Sequence, residues 1–501
     1  MNGTPEHIRV ENTWKTHWLS VLLPLLVLLA GCTVGPNYRT PTVETPSAYK
    51  EAAGWKPAQP NDQNLGGNWW TVFKDPQLDG LELQVNVSNQ NLIAAEAQYQ
   101  QARAALRYYR ADDYPTVTAG LSGTRERVSS RRPPPTSIFD GITYNDFVLP
   151  VDLSYQVDVW GRVRRTVESY RDQAQASAAD LATVNLSLHA DLAVDYFEAR
   201  SLDAEEQLLT STGKEYEDAL ELTQSRFDGG LSSEVEVQQA KTQLDTTRAL
   251  AIDVGVLRAQ YEHAVAILIG KPPAEFSLPP LPLTAPPPPI PISLPSDLLE
   301  RRPDIAAAER RVAAANAQIG VAKSAYYPVI GLTGGGGFES SSITTLLNGP
   351  SGLWSFGASA LGTVFDVGRR RAFTDQARAA YDSQVAAYRE SVLTGFQQVE
   401  DNLSAVRILE NEAKVQDEAV TAAQRSLDLS ITRYKGGVTS YLEVITAQSA
   451  ALQDEVTAVN ILGRRMANTV LLIQALGGGW DRSSLPERPE CCGKLVSVNG
   501  N

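Results

Sequence analysis

One feature limits this chain more than any other. The stretch 161–269 contains no proline and is interrupted once, at Asp228-Gly229-Gly230. About 207 positions later 368–476 follows the same plan, broken at Lys435-Gly436-Gly437. Arg226-Phe227-Asp228-Gly229-Gly230-Leu231-Ser232-Ser233 matches Arg433-Tyr434-Lys435-Gly436-Gly437-Val438-Thr439-Ser440, and Glu236-Val237 and Ala240 match Glu443-Val444 and Ala447. A repeat of this size sets the plan of the whole fold.

Each copy reads as two helices joined by a tight turn. Proline inside a helix removes a backbone hydrogen bond and clashes with the preceding turn, so its absence favours helix. Paired glycines tolerate the positive φ of a reversal. The first arm, 161–227, would run for roughly 100 Å at about 1.5 Å per residue. So long a helix needs a buried seam. Leu202, Leu209 and Tyr216 are spaced by sevens, as are Leu220 and Phe227, and Leu427 and Tyr434, which suits coiled-coil-like packing. Gly213, Ala219 and Ala423 would let neighbours approach. Gln416 stands where Leu209 stands in the first copy, so a plain two-stranded zipper is not expected.

The chain has 501 residues and a net charge of −14. An acidic surface speaks against nucleic acid, whose phosphates need a basic face. Of four histidines, His7 and His17 precede the expected processing site. His189 and His263 each stand alone on a helical pattern and are expected to be exposed or locally bonded, not ligands. Three cysteines cannot form a disulfide framework; Cys491 and Cys492 lie in a polar tail. No nucleophile–base pair, metal cluster or phosphate loop is visible, so no enzyme and no cofactor is expected. The run 334–337 is four glycines without a following Lys-Ser/Thr and reads as a loop.

The first 31 residues combine basic positions with a short apolar run from Trp18 to Leu29. The run is too short for the ~20 residues that span a bilayer and has the form of a secretory signal. Leu29-Ala30-Gly31-Cys32 closes it. Small residues before a cysteine resemble a bacterial lipoprotein processing site, which implies a mature chain acylated at Cys32, where several acyl chains together anchor stably. Thr33, not Asp, follows, which disfavours retention in the inner membrane. Residues 32–76 read as an extended segment pinned by Trp69, Trp70 and Phe73, and 77–112 as a helix.

At Tyr114-Pro115 the period changes. Val117, Ala119 and Leu121 alternate with polar residues. A polar loop with Arg125, Arg127, Arg131 and Arg132 follows, and then Phe147, Leu149, Val151, Leu153, Tyr155 and Val157 share one face while Asp146, Asp152, Ser154, Gln156 and Asp158 share the other. This is the pattern of a strand between lipid and water. Pro150 marks a bend or an unpaired position. The second half has the same plan, from Pro328 to Phe338 and from Trp354 to Asp366. Four such strands cannot close, and open edges do not survive in hydrocarbon. The barrel must therefore be shared between chains; two, three or four copies satisfy the arithmetic alike. The return arm 231–269 and the helical pattern 297–326 together match the descending arm in length. From this, 231–269 is expected to stack on 297–326, and 438–476 on 77–112. The Pro-rich linker 271–296, the N-terminal segment and the tail 481–501 would form a belt at the junctions.

Gly35-Pro36-Asn37-Tyr38, Trp69-Trp70 with Phe73 and Asp75-Pro76, Arg302-Pro303-Asp304-Ile305 with Glu309, Tyr327-Pro328, Phe365-Asp366-Val367-Gly368-Arg369 and Ala475-Leu476-Gly477-Gly478-Gly479-Trp480 occur in this order. Together they resemble the lipoprotein branch of the TolC-like outer membrane factor family of efflux pumps, over residues 32–480. The resemblance implies an α+β membrane fold: a homotrimer with a twelve-stranded β-barrel in the outer membrane, four strands per chain, continued by a long periplasmic α-helical barrel. It divides the chain into a first efflux repeat, 77–270, and a second, 297–480. It implies a periplasmic adaptor protein and an inner-membrane RND-type transporter as partners, export of small toxic compounds or drugs as function, and no cofactor beyond the lipid on Cys32.

Site residues follow from the same likeness. Glu443 is similar in position to acids that line the periplasmic aperture of some relatives, and Glu236 is its repeat mate. Three carboxylates around an axis repel one another and attract cations. Other relatives carry Asp at the position of Thr446. The turns Gly229-Gly230-Leu231-Ser232 and Gly436-Gly437-Val438-Thr439, flanked by Arg226 and Arg433, resemble adaptor-docking tips. Two competing readings remain at this stage: a type I protein-secretion duct, and a lipid-anchored coiled-coil protein with no pore.

Overall fold

A computed structural model describes residues 33–51, 68–131, 141–290 and 297–486. The expected signal segment, Cys32, Arg132, Cys491 and Cys492 lie outside these residues. The described chain forms two compact units. One is drawn from 33–40, 101–174 and 310–385, the other from 41–100, 175–309 and 386–486.

In the first unit one antiparallel sheet is built from β1 (Thr116–Ala119), β2 (Ser122–Arg127), β3 (Thr143–Val157), β4 (Val329–Ser340) and β5 (Gly352–Leu361). β1 and β2 both pair with β3, which pairs with β4, which pairs with β5. Cross-strand partners share a face, so the register tests the amphipathic pattern. Val117 lies opposite Leu153 and Ala119 opposite Val151; Val157 lies opposite Ile330 and Tyr155 opposite Leu332; Ile330 lies opposite Ala360 and Gly334 opposite Phe356. One face is apolar over β1, β4, β5 and the 147–157 part of β3; on β2 the same face carries Gly123, Arg125 and Arg127, opposite Phe147, Asn145 and Thr143. The other carries Thr116 opposite Ser154, Thr118 opposite Asp152 and Gly331 opposite Ser359. No described helix is long and apolar enough to cross a membrane.

The sheet corrects three expectations. Arg125 and Arg127 belong to strand β2, not to a loop. The glycines at 334–337 sit inside β4: a Cβ at Gly337 would stand 2.2 Å from the Leu149 carbonyl oxygen, so the run serves close strand approach. The last strand ends at Leu361, not Asp366. Pro150 occupies a paired position opposite Gly337, and its carbonyl accepts from Gly120 N–H at 3.0 Å, where β1 and β2 part.

The N-terminal segment packs beside the sheet's helix-bearing end. Val34 N–H donates to the Trp160 carbonyl at 3.0 Å. Gly35 lies so close to Gly320 that a Cβ would stand 2.5 Å from its Cα. Asn316 donates to the Pro36 carbonyl, Arg165 to Asn37 Oδ1, and Arg310 lies over the Tyr38 ring. Each residue of the Gly-Pro-Asn-Tyr motif therefore has its own contact.

The helices are α1 (Pro76–Ser88), α2 (Gln90–Arg110), α3 (Arg162–Asp228), α4 (Glu234–Leu268), α5 (Leu298–Arg301), α6 (Pro303–Ser324), α7 (Arg369–Lys435) and α8 (Tyr441–Ala475). The expected helix 77–112 is broken at Asn89, and 297–326 at Arg302. α3 and α7 each run for 67 residues, as the repeat requires. The seam of α3 is real: Leu202, Leu209 and Tyr216 are buried with Leu244 and Val254 of α4 and Leu452 of α8. Phe227, one heptad past Leu220, is instead 39 % exposed.

The stacking expectation is reversed. Asn89, just before α2, donates to the Leu268 carbonyl at the end of α4 at 2.7 Å. Arg302, just before α6, donates to the Ala475 carbonyl at the end of α8 at 2.9 Å. So α4 abuts α2, and α8 abuts α6. Gly270 and Gly477 make these joints close. Both have positive φ, and a Cβ would stand 2.2 Å from the Ser88 oxygen or 2.1 Å from the Arg301 oxygen.

Extended segments are pinned to the joints by repeat-related arginines. Arg200 of α3 donates to the Pro279 carbonyl at 2.6 Å and pairs with Asp203, which also accepts from Leu281 N–H. Arg407, 207 positions on, pairs instead with Glu51 of the N-terminal segment. The tail is held by Arg482 on Glu309 at 3.1 Å and by Gln175 on the Pro486 carbonyl. The three segments of the expected belt thus all bind helices of one unit.

His189 is a further correction. It is 2 % exposed, stacks on Trp70 at 4.4 Å, and meets Glu82 at 2.5 Å. It is the centre of a buried polar cluster. Trp69 and Trp70 are core anchors as expected, and Phe73 packs on Phe197.

Candidate functional site: the two hairpin tips

The turn after α3 and the turn after α7 close in the same way. Gly230 N–H donates to the Phe227 carbonyl at 2.8 Å and Leu231 N–H to Arg226 at 2.7 Å; Gly437 donates to Tyr434 at 3.0 Å and Val438 to Arg433 at 2.9 Å. This is the reversal by which a glycine in the left-handed region ends a helix. Gly230 has φ of 74° and Gly437 of 70°. Gly229 and Gly436 instead lie over the last helical carbonyls. The turns leave Leu231 73 % and Val438 72 % exposed, two apolar side chains at equivalent positions.

Ser233 and Ser440 then occupy the N-cap positions of α4 and α8 without a side-chain capping bond, which puts Glu236 and Glu443 three residues in. Acids are favoured there, near the positive end of the helix dipole. Both carboxylates are tied back to their own turn. Ser232 Oγ donates to Glu236, and Thr439 Oγ1 to Glu443. The copies then diverge. Glu443 pairs with Arg433 at 2.9 Å. Glu236 accepts from Tyr434 Oη at 3.4 Å, a bond from one hairpin to the other. Arg226 lies over the Tyr434 ring at 4.9 Å, and Tyr434 packs on buried Tyr441. Burial pushes the Tyr441 hydroxyl up to about 12. Thr446 is exposed one turn beyond Glu443 and bonds back to the Leu442 carbonyl.

All the tip residues named from sequence therefore gather at the two turns; Cys32 lies outside the described residues. What was missed is the link between the hairpins. Tyr434 was legible as the repeat partner of Phe227, with a hydroxyl only in the second copy; the two halves differ there in hydrogen-bonding capacity. Among the described residues no group of His, Cys, Asp and Glu could hold a metal ion.

The sequence matches the profile of the "Outer membrane efflux protein" family over residues 84–271 and 294–478. The chain belongs to the outer membrane efflux protein family. It is 32% identical over 479 residues to the toluene efflux pump outer membrane protein TtgF of Pseudomonas putida, covering 94% of this chain and 98% of that one. It is 30% identical over 469 residues to the cation efflux system protein CusC of Escherichia coli, covering 92% and 99%. Among solved structures, the outer-membrane channel OprN superposes with a TM-score of 0.84 at 29% identity, covering 90% of this chain and 100% of that one. The open state of the Neisseria gonorrhoeae MtrE outer membrane channel superposes with a TM-score of 0.78 at 27% identity, covering 90% and 99%. The fold is thus that of the trimeric outer-membrane channels: a barrel to which each chain gives four spans, β1 and β2 forming one, and an α-helical barrel built from the long helices. The protein is an outer-membrane efflux channel component.

Proposed function

We propose that three copies of this chain form the passive outer duct of a tripartite pump for small toxic organic molecules, closed at its periplasmic end by the hairpin tips. The carrying observation is the cross-link between tips: Tyr434 to Glu236 joins the hairpins, and Arg433 to Glu443 braces the second one. In a trimer each contact is repeated around an axis, so Glu236 and Glu443 become rings of carboxylate whose charge is partly offset by Arg433. Opening requires these contacts to break, and a partner that binds the separated tips better shifts the population toward the open form. The chain itself carries out no reaction.

A periplasmic adaptor protein is that partner, with an inner-membrane RND-type transporter supplying the energy. The exposed Leu231 and Val438, flanked by arginine on each hairpin, offer it two similar docking points per chain. Acylation of Cys32 anchors the N-terminus. The packing of Thr33 against Gly161, where a Cβ would stand 3.0 Å from the Thr33 Cα, supports this by keeping residue 33 at the strand–helix boundary. The toluene relative favours organic cargo, and the cation relative supplies the comparison compound.

Purified protein in planar bilayers tests the duct. The wild type should give small, infrequent currents, and Tyr434→Phe combined with Glu443→Gln should raise conductance several-fold. Absence of channels in both, or equal conductance, sinks the gate. In cells, cysteines at Leu231 and Val438 should crosslink to the adaptor, and Cys32→Ala should abolish palmitate labelling. A deletion strain sensitised to toluene but not to metal cations would support the organic cargo.

A further inference from the structure

The strand register brings all four strand–helix junctions to one end of the sheet: Thr116 lies opposite Ser154, Val157 opposite Ile330 and Val329 opposite Leu361. The charge there is opposite to that of the chain. Segments 103–113, 158–171, 319–327 and 366–378 hold twelve Lys and Arg against six Asp and Glu, in a protein of net charge −14. Arg107, Arg110, Arg162, Arg369, Arg371 and Arg378 are all exposed.

Arg107 and Arg110 sit in the last turn of α2, where the helix dipole favours cations, but the arginines that open α3 and α7 are not explained by helix stability. α3 opens with Arg162, Arg164 and Arg165, and α7 with Arg369, Arg370 and Arg371, and neither has an acid in its first turn. Cations at that end oppose the helix dipole. Asp158 neutralises Arg164, and Asp366 neutralises Arg370. Arg162 and Arg369 form no ion pair among the described residues, and Arg371 has only a 3.9 Å contact with Asp375. Exposed Tyr108, Tyr114 and Tyr326 occupy the same level, where Trp160 stacks on Tyr327 at 4.7 Å. Aromatic residues of this kind mark the edge of the hydrocarbon around a β-barrel.

We propose that this basic collar binds the anionic headgroups of phospholipids in the leaflet that meets the strand–helix junctions. Guanidinium groups recognise phosphate by paired, charge-assisted hydrogen bonds, and a cluster of them just outside the hydrocarbon concentrates anionic lipid. The inference rests on the family's outer-membrane placement and needs neither the tip gate nor the adaptor.

The test is the full-length trimer in nanodiscs of phosphatidylethanolamine alone or mixed with phosphatidylglycerol. Lipids retained by the trimer, read by native mass spectrometry, should be enriched in phosphatidylglycerol by at least about threefold over the disc composition. The wild-type enrichment should fall in high salt, which needs no variant. Arg162→Gln combined with Arg369→Gln and Arg371→Gln should abolish most of it, while the corresponding Lys variants keep it. Equal retention of both lipids by the wild type, or unchanged enrichment in the Gln variant, overturns the proposal. A Gln variant with altered ion selectivity in bilayers and unchanged lipid retention would place the arginines on the lumen and overturn it too. Loss of the tip gate would leave the lipid result untouched, so the two readings fail separately.

Discussion

Glu82 and His189 meet in the core with no cation beside them among the described residues. Burial, reinforced by Asp79, pushes the Glu82 carboxyl up to about 9, and burial pushes the His189 imidazole down to about 4. At neutral pH the carboxyl keeps its proton and donates it to Nδ1, while Nε2–H donates to Asn86 Oδ1 at 3.2 Å. The unfolded chain ionises Glu82 above the ordinary carboxyl value of 4.5, whereas the folded chain does not until about 9. Stability therefore falls as pH climbs through that window. His189 acts on the acid side: the unfolded chain takes up a proton below 6.5 and the folded chain resists until about 4, so stability also falls as pH drops through that range. Glu82→Gln keeps a donor to Nδ1 and removes the alkaline slope. It should gain about 1 kcal/mol or more at pH 8 and little near pH 5, read as unfolding midpoints at the two pH values. A loss at both would mean that the pair is charged. This cluster was illegible in sequence because the partners are 107 residues apart, and a histidine on a helical pattern carries no mark of what it faces.

At the scale of elements, the repeat made both 67-residue helices and their glycine turns readable almost to the residue. Helix pairing was misread for a physical reason. α2 has 21 residues and α6 has 22, and α4 and α8 have 35 each, so length cannot tell which stacks on which. The decision lies in two side chains, Asn89 and Arg302, which reach the last carbonyls of α4 and α8. The glycines at these joints are therefore not interchangeable with glycines elsewhere. Gly270→Ala or Gly477→Ala adds a Cβ against a carbonyl oxygen and strains a positive φ, and each should cost several kcal/mol, on the order of 2–4. Gly255 is helical with nothing within 4 Å of a Cβ; Gly255→Ala should gain up to about 1 kcal/mol from helix propensity. Thermal unfolding of the detergent-solubilised protein separates the two classes, and equal losses at 255 and 270 would refute the joint.

At the scale of the whole molecule, the sheet ends in two unfilled edges. Among the described residues β1 and β2 pair on one side only, with β3, and β5 pairs on one side only, with β4. In water an open edge is a hazard; in hydrocarbon its unpaired amides and carbonyls are costly enough to exclude it. The apolar face seen across the register shows that this sheet belongs in hydrocarbon, so the edges must be met by other copies, β5 of one chain against β1 and β2 of the next. The sequence carried the alternation but not the number of copies, because closure depends on strand tilt and stagger as well as strand count. The arrangement can be caught covalently. Thr116, Thr118 and Ser359 lie on the polar face, away from lipid. With one cysteine at Ser359 and a second walked through Thr116, Thr118 and Thr124, one position should give a disulfide-linked trimer under mild oxidation, resistant to boiling in detergent and reversed by reductant. The other two should give little, since all three share the polar face but only one can stand directly opposite residue 359. Each copy then contributes one cysteine to each of two bonds, and the product stops at three chains. Linked dimers that never reach trimer, or a ladder that runs past it, would show that the edges meet in some other way.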